Sequence, residues 1–497
     1  MTKVLFVVSE CAPLIKTGGL ADVAGALPIA LAGLGDDVRT LLPGYRAVLA
    51  QLGKSKVIAR FDDLFGGPAT LRGCKIAGLD LLVIDAPHLY DRDGGIYVDG
   101  AGHDWPDNPE RFAALSFVAA TIAAGGTGAA SGTGAASGAS GTGAASEAGG
   151  WTPDIVHGHD WQAGLTPEYL RALGSDVPFV FTVHNIAFHG NTAADRLAAL
   201  RLDPARFHPD HFEFWGQISA LKAALTGAAK ITTVSQTYAE ELLTPAFGMG
   251  MEGVLRQRQG DLIGIVNGID EAAWNPATDA AITPYKTAAG KAANKTALRK
   301  TFGLGTADGP LYVLVSRLTE QKGIDLLLEA LPALLRQDGQ LALLGSGDPR
   351  LEVALLEAAA THPDISVKIG YDEALSHLMM AGGDVVLVPS RFEPCGLTQL
   401  YGLRYGAVPL VALTGGLADT VINASPAALA SGVATGVQFS PLTTEALANA
   451  MTRLGDLYAQ PDIWKKMQRN AMNQTVGWHG SAAKYHAIYD ALLQARP

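Results

Sequence analysis

Three scarcities narrow the reading of this chain of 497 residues. Cysteine is scarce: Cys11, Cys74 and Cys395 stand far apart. They form neither a disulfide framework nor a thiolate zinc site, and such usage fits a reducing cytoplasm. Net positive charge is missing. The formal charge is −11, which argues against broad binding to nucleic acid or to an anionic membrane. Long apolar runs are missing as well. The first run, residues 4–8, gives way at once to Ser9 and Glu10. It is too short for a signal segment and reads as a strand, and no run is long enough to cross a bilayer.

What is present is an ordinary globular composition, 48% hydrophobic, on a chain long enough for two or three domains. Short apolar runs recur at residues 4–8, 81–84, 155–157, 179–183, 231–234 and 262–266, then at 311–315, 341–344, 365–369, 385–388 and 409–413. Continuous apolar runs of this kind predict parallel strands covered by helices on both faces. Between the first strands, Leu20, Val23, Ala24, Leu27 and Leu31 repeat on one helical face, with Gly35 as the stop. The pattern predicts an α/β chain of two doubly wound, Rossmann-like domains facing each other across a deep cleft. Their expected bounds are 1–270 and 271–475, with a helix at 476–497 returning to the first domain. One stretch, 124–150, is almost wholly Gly, Ala, Ser and Thr. It cannot bury enough apolar area to fold and is read as a flexible surface loop.

Thr17-Gly18-Gly19-Leu20-Ala21-Asp22 and Thr414-Gly415-Gly416-Leu417-Ala418-Asp419 are identical. Each follows a predicted strand and opens a predicted helix. Glycines there leave backbone N–H groups bare at the positive end of the helix dipole, which suits an anion. Lys16 directly precedes the first copy and adds a cation. In the second half, Arg317 and Lys322 lie in the loop after the 311–315 strand. Two fixed cations at a strand end can neutralise a diphosphate and stabilise it as a leaving group. The alternative is a pair of surface cations bridged to Glu320 or Asp325.

Pro389-Ser390-Arg391-Phe392-Glu393-Pro394-Cys395-Gly396-Leu397-Thr398 is the sharpest local motif. It holds Glu393 next to a helix start at Gly396-Leu397, and Cys395 beside Glu393 predicts sensitivity to thiol reagents. His157-Gly158-His159-Asp160-Trp161 and His184-Asn185 end two other strands, where polar residues meet ligands in open α/β sheets. His157 and His159 share a strand face and could chelate, but no third ligand stands at useful spacing, so no metal is expected. Asp160 is expected to cap a helix and Trp161 to pack. Gly345-Ser346-Gly347-Asp348 lacks the third glycine of a dinucleotide fingerprint, position 350 being Arg350, and reads as a tight βα turn near a nucleotide rather than an NAD site. Asp91-Arg92-Asp93 matches an Asp-x-Asp metal motif too short to carry weight.

Taken together, these stretches resemble the bacterial glycogen synthase and plant starch synthase family. The resemblance runs in order over nearly the whole chain, through Lys16 to Val23, His157 to Trp161, His184-Asn185, Asn267-Gly268-Ile269-Asp270, Ser316 to Gly323, Pro389 to Tyr405 and Thr414 to Val421. It implies a GT-B fold and retaining transfer of glucose from ADP-glucose to the non-reducing 4-OH of an α-1,4-glucan, with no cofactor and no metal. The sucrose and trehalose synthase branch carries a second glutamate eight positions after the first, where this chain has Tyr401. The 124–150 stretch replaces a normally short connection.

The catalytic set implied is Glu393, Arg317, Lys322, His184 and Asp22. The donor would be held by Lys16, Gly18, Gly19, Tyr97, Asn267, Arg317, Lys322, Cys395, Gly396, Leu397, Thr398, Gly415 and Gly416. Asp22 and His184 would orient the sugar, Lys16 would close over it, and Tyr97 and Asn267 would help form its pocket. The rival readings are a transferase using another nucleotide sugar, a glucan phosphorylase carrying pyridoxal phosphate on a lysine, and a non-catalytic glucan-binding protein.

Overall fold

The computed structural model describes residues 1–125 and 151–496. The Gly/Ala/Ser/Thr stretch lies outside them from residue 126 onward. Contacts divide the chain into two units: Met1–Val234 with Ala239–Ile265 and Trp478–Pro497, and Ser235–Tyr238 with Val266–Gly477. The boundary thus falls between Ile265 and Val266, where the sequence reading set it at 270/271.

The first unit holds a nine-stranded sheet. Its strands are β1 (Lys3–Val7), β2 (Asp37–Pro43), β3 (Lys56–Phe61), β4 (Ala69–Ile76), β5 (Leu79–Asp85), β6 (Ile155–His159), β7 (Phe179–Val183), and, after three short strands, β11 (Lys230–Thr233) and β12 (Leu262–Gly264). The order is β12-β11-β7-β6-β1-β2-β5-β4-β3. The short strands β8 (Asn191–Ala193), β9 (Glu213–Phe214) and β10 (Gln217–Ser219) form a separate antiparallel sheet. All pairings in the large sheet are parallel except β3 with β4 and β4 with β5. That antiparallel edge departs from the wholly parallel expectation. β3 carries Lys56 and Arg60 among apolar residues and is only partly buried, as an edge strand can be.

The second unit has six parallel strands: β13 (Leu311–Val315), β14 (Gln340–Gly345), β15 (Ile365–Ile369), β16 (Val385–Val388), β17 (Val408–Ala412) and β18 (Val437–Phe439). Their order is β15-β14-β13-β16-β17-β18. Leu311, Val313, Val385 and Val386 are wholly buried, and full burial of each such aliphatic side chain contributes about 1.5–3 kcal/mol.

Both sheets have a topological switch point. In the first, the chain leaves β1 toward β2 and returns on the other side at β6. In the second, it leaves β13 toward β14 and returns at β16. Ligands of open α/β sheets bind outside the carboxyl ends of strands at such points. Those ends carry Ser9-Glu10 and His159-Asp160 in one unit, and Ser316-Arg317 and Pro389 to Glu393 in the other.

The last helix, His479–Gln494, belongs to the first unit. There Tyr489 Oη meets His157 Nδ1 at 2.7 Å and His486 Nδ1 meets Asp36 at 2.9 Å. No described helix is long and apolar enough to cross a membrane.

Candidate active site

In the second unit the motifs after β13 and β16 converge because the two strands are neighbours. Lys322 Nζ donates to Glu393 Oε2 at 2.6 Å, and Ser390 Oγ donates to the same oxygen at 2.8 Å. Glu393 is 8% exposed. Gln321 Nε2 donates to Phe392 O at 3.2 Å and Arg391 N to Gln321 O at 2.8 Å, which ties the two loops together. Asp325 pairs with Arg391 at 2.6 Å. The bridges considered for Lys322 and Arg317 with Glu320 or Asp325 therefore do not form. Arg317 is exposed and makes no side-chain ion pair among the described residues.

The helix expected near Gly396-Leu397 begins at Thr398 and runs to Tyr405. Gly396 has φ 71°, and a Cβ there would meet the Gln399 amide at 2.3 Å. The N–H groups of Gly396, Leu397 and Thr398 end on no protein acceptor among the described residues. This is the open helix start that suits a diphosphate. Asn267 is buried with its Oδ1 unpartnered. Its backbone N–H meets the Cys395 thiol, which burial pushes up to about 12. Burial that raises the thiol works against the sensitivity to thiol reagents expected of Cys395 from its place beside Glu393.

The hexapeptides correct the sequence reading further. In the first, Thr17 N and Gly18 N donate to Glu10 Oε2 at 2.5 and 3.2 Å. The fold has already placed a carboxylate where a bare anion site was expected, and Gly19 N–H is left without a protein acceptor. Burial raises the Glu10 carboxyl above its ordinary value, against those two N–H bonds. In the second, Gly416 N donates to Glu393 O and Pro394 O at 3.1 and 3.0 Å. Gly415 and Gly416 thus buttress the Glu393 loop through backbone contacts and do not present an open anion site. Sequence reasoning missed Glu10. The available signal was a carboxylate at the end of β1, just ahead of a di-glycine turn.

Elsewhere in the first unit, Lys16 Nζ pairs with Asp22 at 2.8 Å, and Tyr97 Oη meets Ser9 Oγ at 2.7 Å. His184 Nε2 lies 2.9 Å from His159 Nδ1. Burial pushes His184 and His157 down to about 3 and His159 well below its ordinary value, so all three are neutral. Asp160 caps no helix. Its Oδ1 accepts from His184 N at 2.7 Å and Asn185 N at 3.3 Å, and burial raises its carboxyl to about 7. Asp160 thereby fixes the backbone that carries His184. Trp161 packs edge-on against Phe112.

Among the described residues no group of three His, Cys, Asp or Glu side chains is arranged to hold a metal ion. Asp91 and Asp93 both grip Arg46. Asp348 caps the helix Pro349–Thr361 and pairs with Arg350, which fixes the turn that follows Gly345. Tyr401 stacks on Trp274 with ring centroids 3.7 Å apart, so the position of the second glutamate in the other branch has a packing task here.

Comparison with known proteins shows the family. Residues 3–257 match the starch synthase catalytic domain and residues 299–472 match glycosyl transferases group 1. The chain is 66% identical to a glycogen synthase of Jannaschia sp. over 491 residues, covering 99% of each, and 58% identical to one of Paracoccus denitrificans, covering 99% of this chain and 100% of the relative. Among solved structures it resembles the catalytic domain of starch synthase IV from Arabidopsis thaliana bound to ADP and acarbose. That match has a TM-score of 0.84 and 30% identity over 99% of each chain. A sucrose-phosphate synthase from Thermosynechococcus elongatus, 18% identical with a TM-score of 0.58 over 100% of each chain, shares the fold. The chain belongs to the starch and glycogen synthase family of GT-B glycosyltransferases.

Proposed function

We propose that the chain transfers glucose from ADP-glucose to the non-reducing 4-OH of an α-1,4-glucan with retention, and so elongates glycogen. The Lys322–Glu393 pair beside the open helix start at Gly396 to Thr398 carries this reading. It sets a cation and free N–H donors for a diphosphate next to a fixed carboxylate for the sugar.

In the reaction the anomeric C1–O bond to the diphosphate breaks and a bond from C1 to the acceptor oxygen forms on the same face. The proton of the acceptor hydroxyl passes to the departing phosphate oxygen, and ADP leaves. The transition state carries positive charge on the sugar and growing negative charge on the diphosphate. Lys322, Arg317 and the N–H groups of Gly396, Leu397 and Thr398 act on the second charge. Glu393, held by Lys322 and Ser390, supports the first or binds glucose hydroxyls. Asn267, with a buried free Oδ1, offers an acceptor to the donor. In the first unit, His184 and Asp22 orient the sugar, and Lys16, Tyr97 and Gly19 assist in holding the donor. No metal or cofactor is used, because cationic side chains and N–H groups supply the charge that a metal would bring. The three cysteines are free thiols, which fits work in the reducing cytoplasm.

The test is release of ADP or UDP from ADP-glucose and UDP-glucose, run in parallel with glycogen as acceptor. Turnover with ADP-glucose and little with UDP-glucose is expected. Preference for UDP-glucose would replace the donor assignment, and turnover with neither would remove the activity.

A further inference from the structure

His184 shares one hydrogen bond with His159, from ring nitrogen to ring nitrogen at 2.9 Å. Both rings are neutral, so a single proton lies between them, and two arrangements are available. If His184 Nε2 donated, His159 would accept at Nδ1 and carry its own hydrogen on Nε2. His159 is wholly buried, and its Nε2 has no hydrogen-bond partner among the described residues. That arrangement would strand an N–H donor in the core. The rings nearest to His159, Phe6 and His157, pack against it with centroids at 4.0 and 4.2 Å, tilted by 42° and 36°. In the reverse arrangement His159 donates from Nδ1 and leaves only a lone pair at Nε2. Buried N–H groups without a partner are rarer in folded proteins than under-used acceptors.

We propose that His159 is a positioning residue that fixes the tautomer of His184. By donating Nδ1–H to His184 Nε2, it obliges His184 to carry its hydrogen on Nδ1. His184 is partly exposed at the carboxyl end of β7, and Nδ1 is its remaining ring nitrogen. The side chain therefore meets substrate as a hydrogen-bond donor and not as an acceptor, and it selects an oxygen able to accept. Orientation of a functional histidine through its other ring nitrogen is a general device. Here the partner is a second histidine that donates, where a carboxylate or a backbone carbonyl would accept, and it leaves no charge in the core. Asp160, which holds the His184 backbone N–H, completes the mount.

The functional part of this proposal rests on reading His184 as a contact to the donor sugar, whereas the tautomer does not. The experiment is nitrogen-15 NMR of histidine-labelled protein, with the His184 and His159 signals assigned through single substitutions among the 12 histidines. Protonated Nδ1 and unprotonated Nε2 on both rings are expected. A protonated Nε2 on His184 would overturn the proposal. Activity supplies the second arm. His159→Asn places an amide donor near the position of Nδ1 and should keep most of the turnover. His159→Leu should lose roughly 10- to 100-fold, as loss of an outer-shell partner does. Equal losses in two folded variants, or no loss in either, would also overturn it. If the tautomer is as stated but His184→Ala turns over normally, the reading of His184 as a sugar contact falls and the tautomer assignment stands.

Discussion

Thr17 to Asp22 and Thr414 to Asp419 carry the same side chains in the same order, yet the two units use them differently. In the first copy a side chain, Glu10, takes the N–H groups of Thr17 and Gly18, and a helix of 15 residues follows. In the second copy main-chain oxygens of Glu393 and Pro394 take Gly416 N–H, and the helix has 6 residues. The closing aspartates differ in the same way. Asp22 pairs with Lys16 of its own loop. Asp419 accepts from Gln236 N, Thr237 N and Thr237 Oγ1, residues far away in sequence. The glycines differ most. A Cβ on Gly18 would meet only Glu10 Oε1, at 3.7 Å, whereas one on Gly415 or Gly416 would lie 2.1 Å from the carbonyl oxygen of Glu393 or Cys395. The same hexapeptide is thus a carboxylate-anchored turn in one unit and a backbone wedge under the Glu393 loop in the other.

The comparison can be broken in four places. The largest effect is expected from Gly416→Ala. The new methyl group cannot fit without moving the backbone that carries Glu393 and Cys395. Thermal unfolding should report a loss of roughly 3 kcal/mol or more, with turnover falling alongside. Next comes Glu10→Ala, which strips the carboxylate acceptor from the N–H groups of Thr17 and Gly18, two residues exposed to water. Denaturant titration should show a cost of about 0.5–1.5 kcal/mol, since water can take up the released N–H groups. Third is the pH response of that anchor. Folded Glu10 keeps its proton to a higher pH than the unfolded chain, whose glutamate titrates near 4.5. The unfolded state therefore loses its proton first. The contribution of Glu10 to stability is full below that value and declines as pH rises through the folded one, by at most about 1.4 kcal/mol per pH unit. Stability curves of Glu10→Gln should lack this slope, and a slope equal to that of the parent would assign it elsewhere. The smallest effect is Gly18→Ala. The backbone there is extended, with φ −148°, and space is available, so a change under about 1 kcal/mol is expected. A loss as large as that of Gly416→Ala would abolish the contrast.

Much of this was legible in the chain itself. The central strands announce themselves as apolar runs, and β7, β13, β15 and β16 have the bounds read from the sequence. Strands β2, β3 and β4 were not legible, because Arg39, Lys56, Arg60 and Arg72 interrupt their patterns at positions that an edge or half-covered strand tolerates. At the site, Lys322 and Glu393 were each readable from their loops. Their ion pair across 71 positions was not, since it depends on β13 and β16 being neighbours. The bond between His159 and His184 has the same origin in the pairing of β6 with β7. Burial, which a motif does not display, weighs against a reactive Cys395, and Asp160 supports the His184 backbone instead of capping a helix.

The central claim is that the Lys322–Glu393 pair serves the reaction and not the fold alone. Initial rates of ADP release at saturating ADP-glucose and glycogen, for Lys322→Ala and Glu393→Gln beside the parent, test it most directly. A fall in turnover of roughly 100- to 1000-fold for Lys322→Ala, of the size seen when one transition-state charge partner is removed, is predicted together with a large fall for Glu393→Gln. Near-parental turnover in both folded variants would contradict the account.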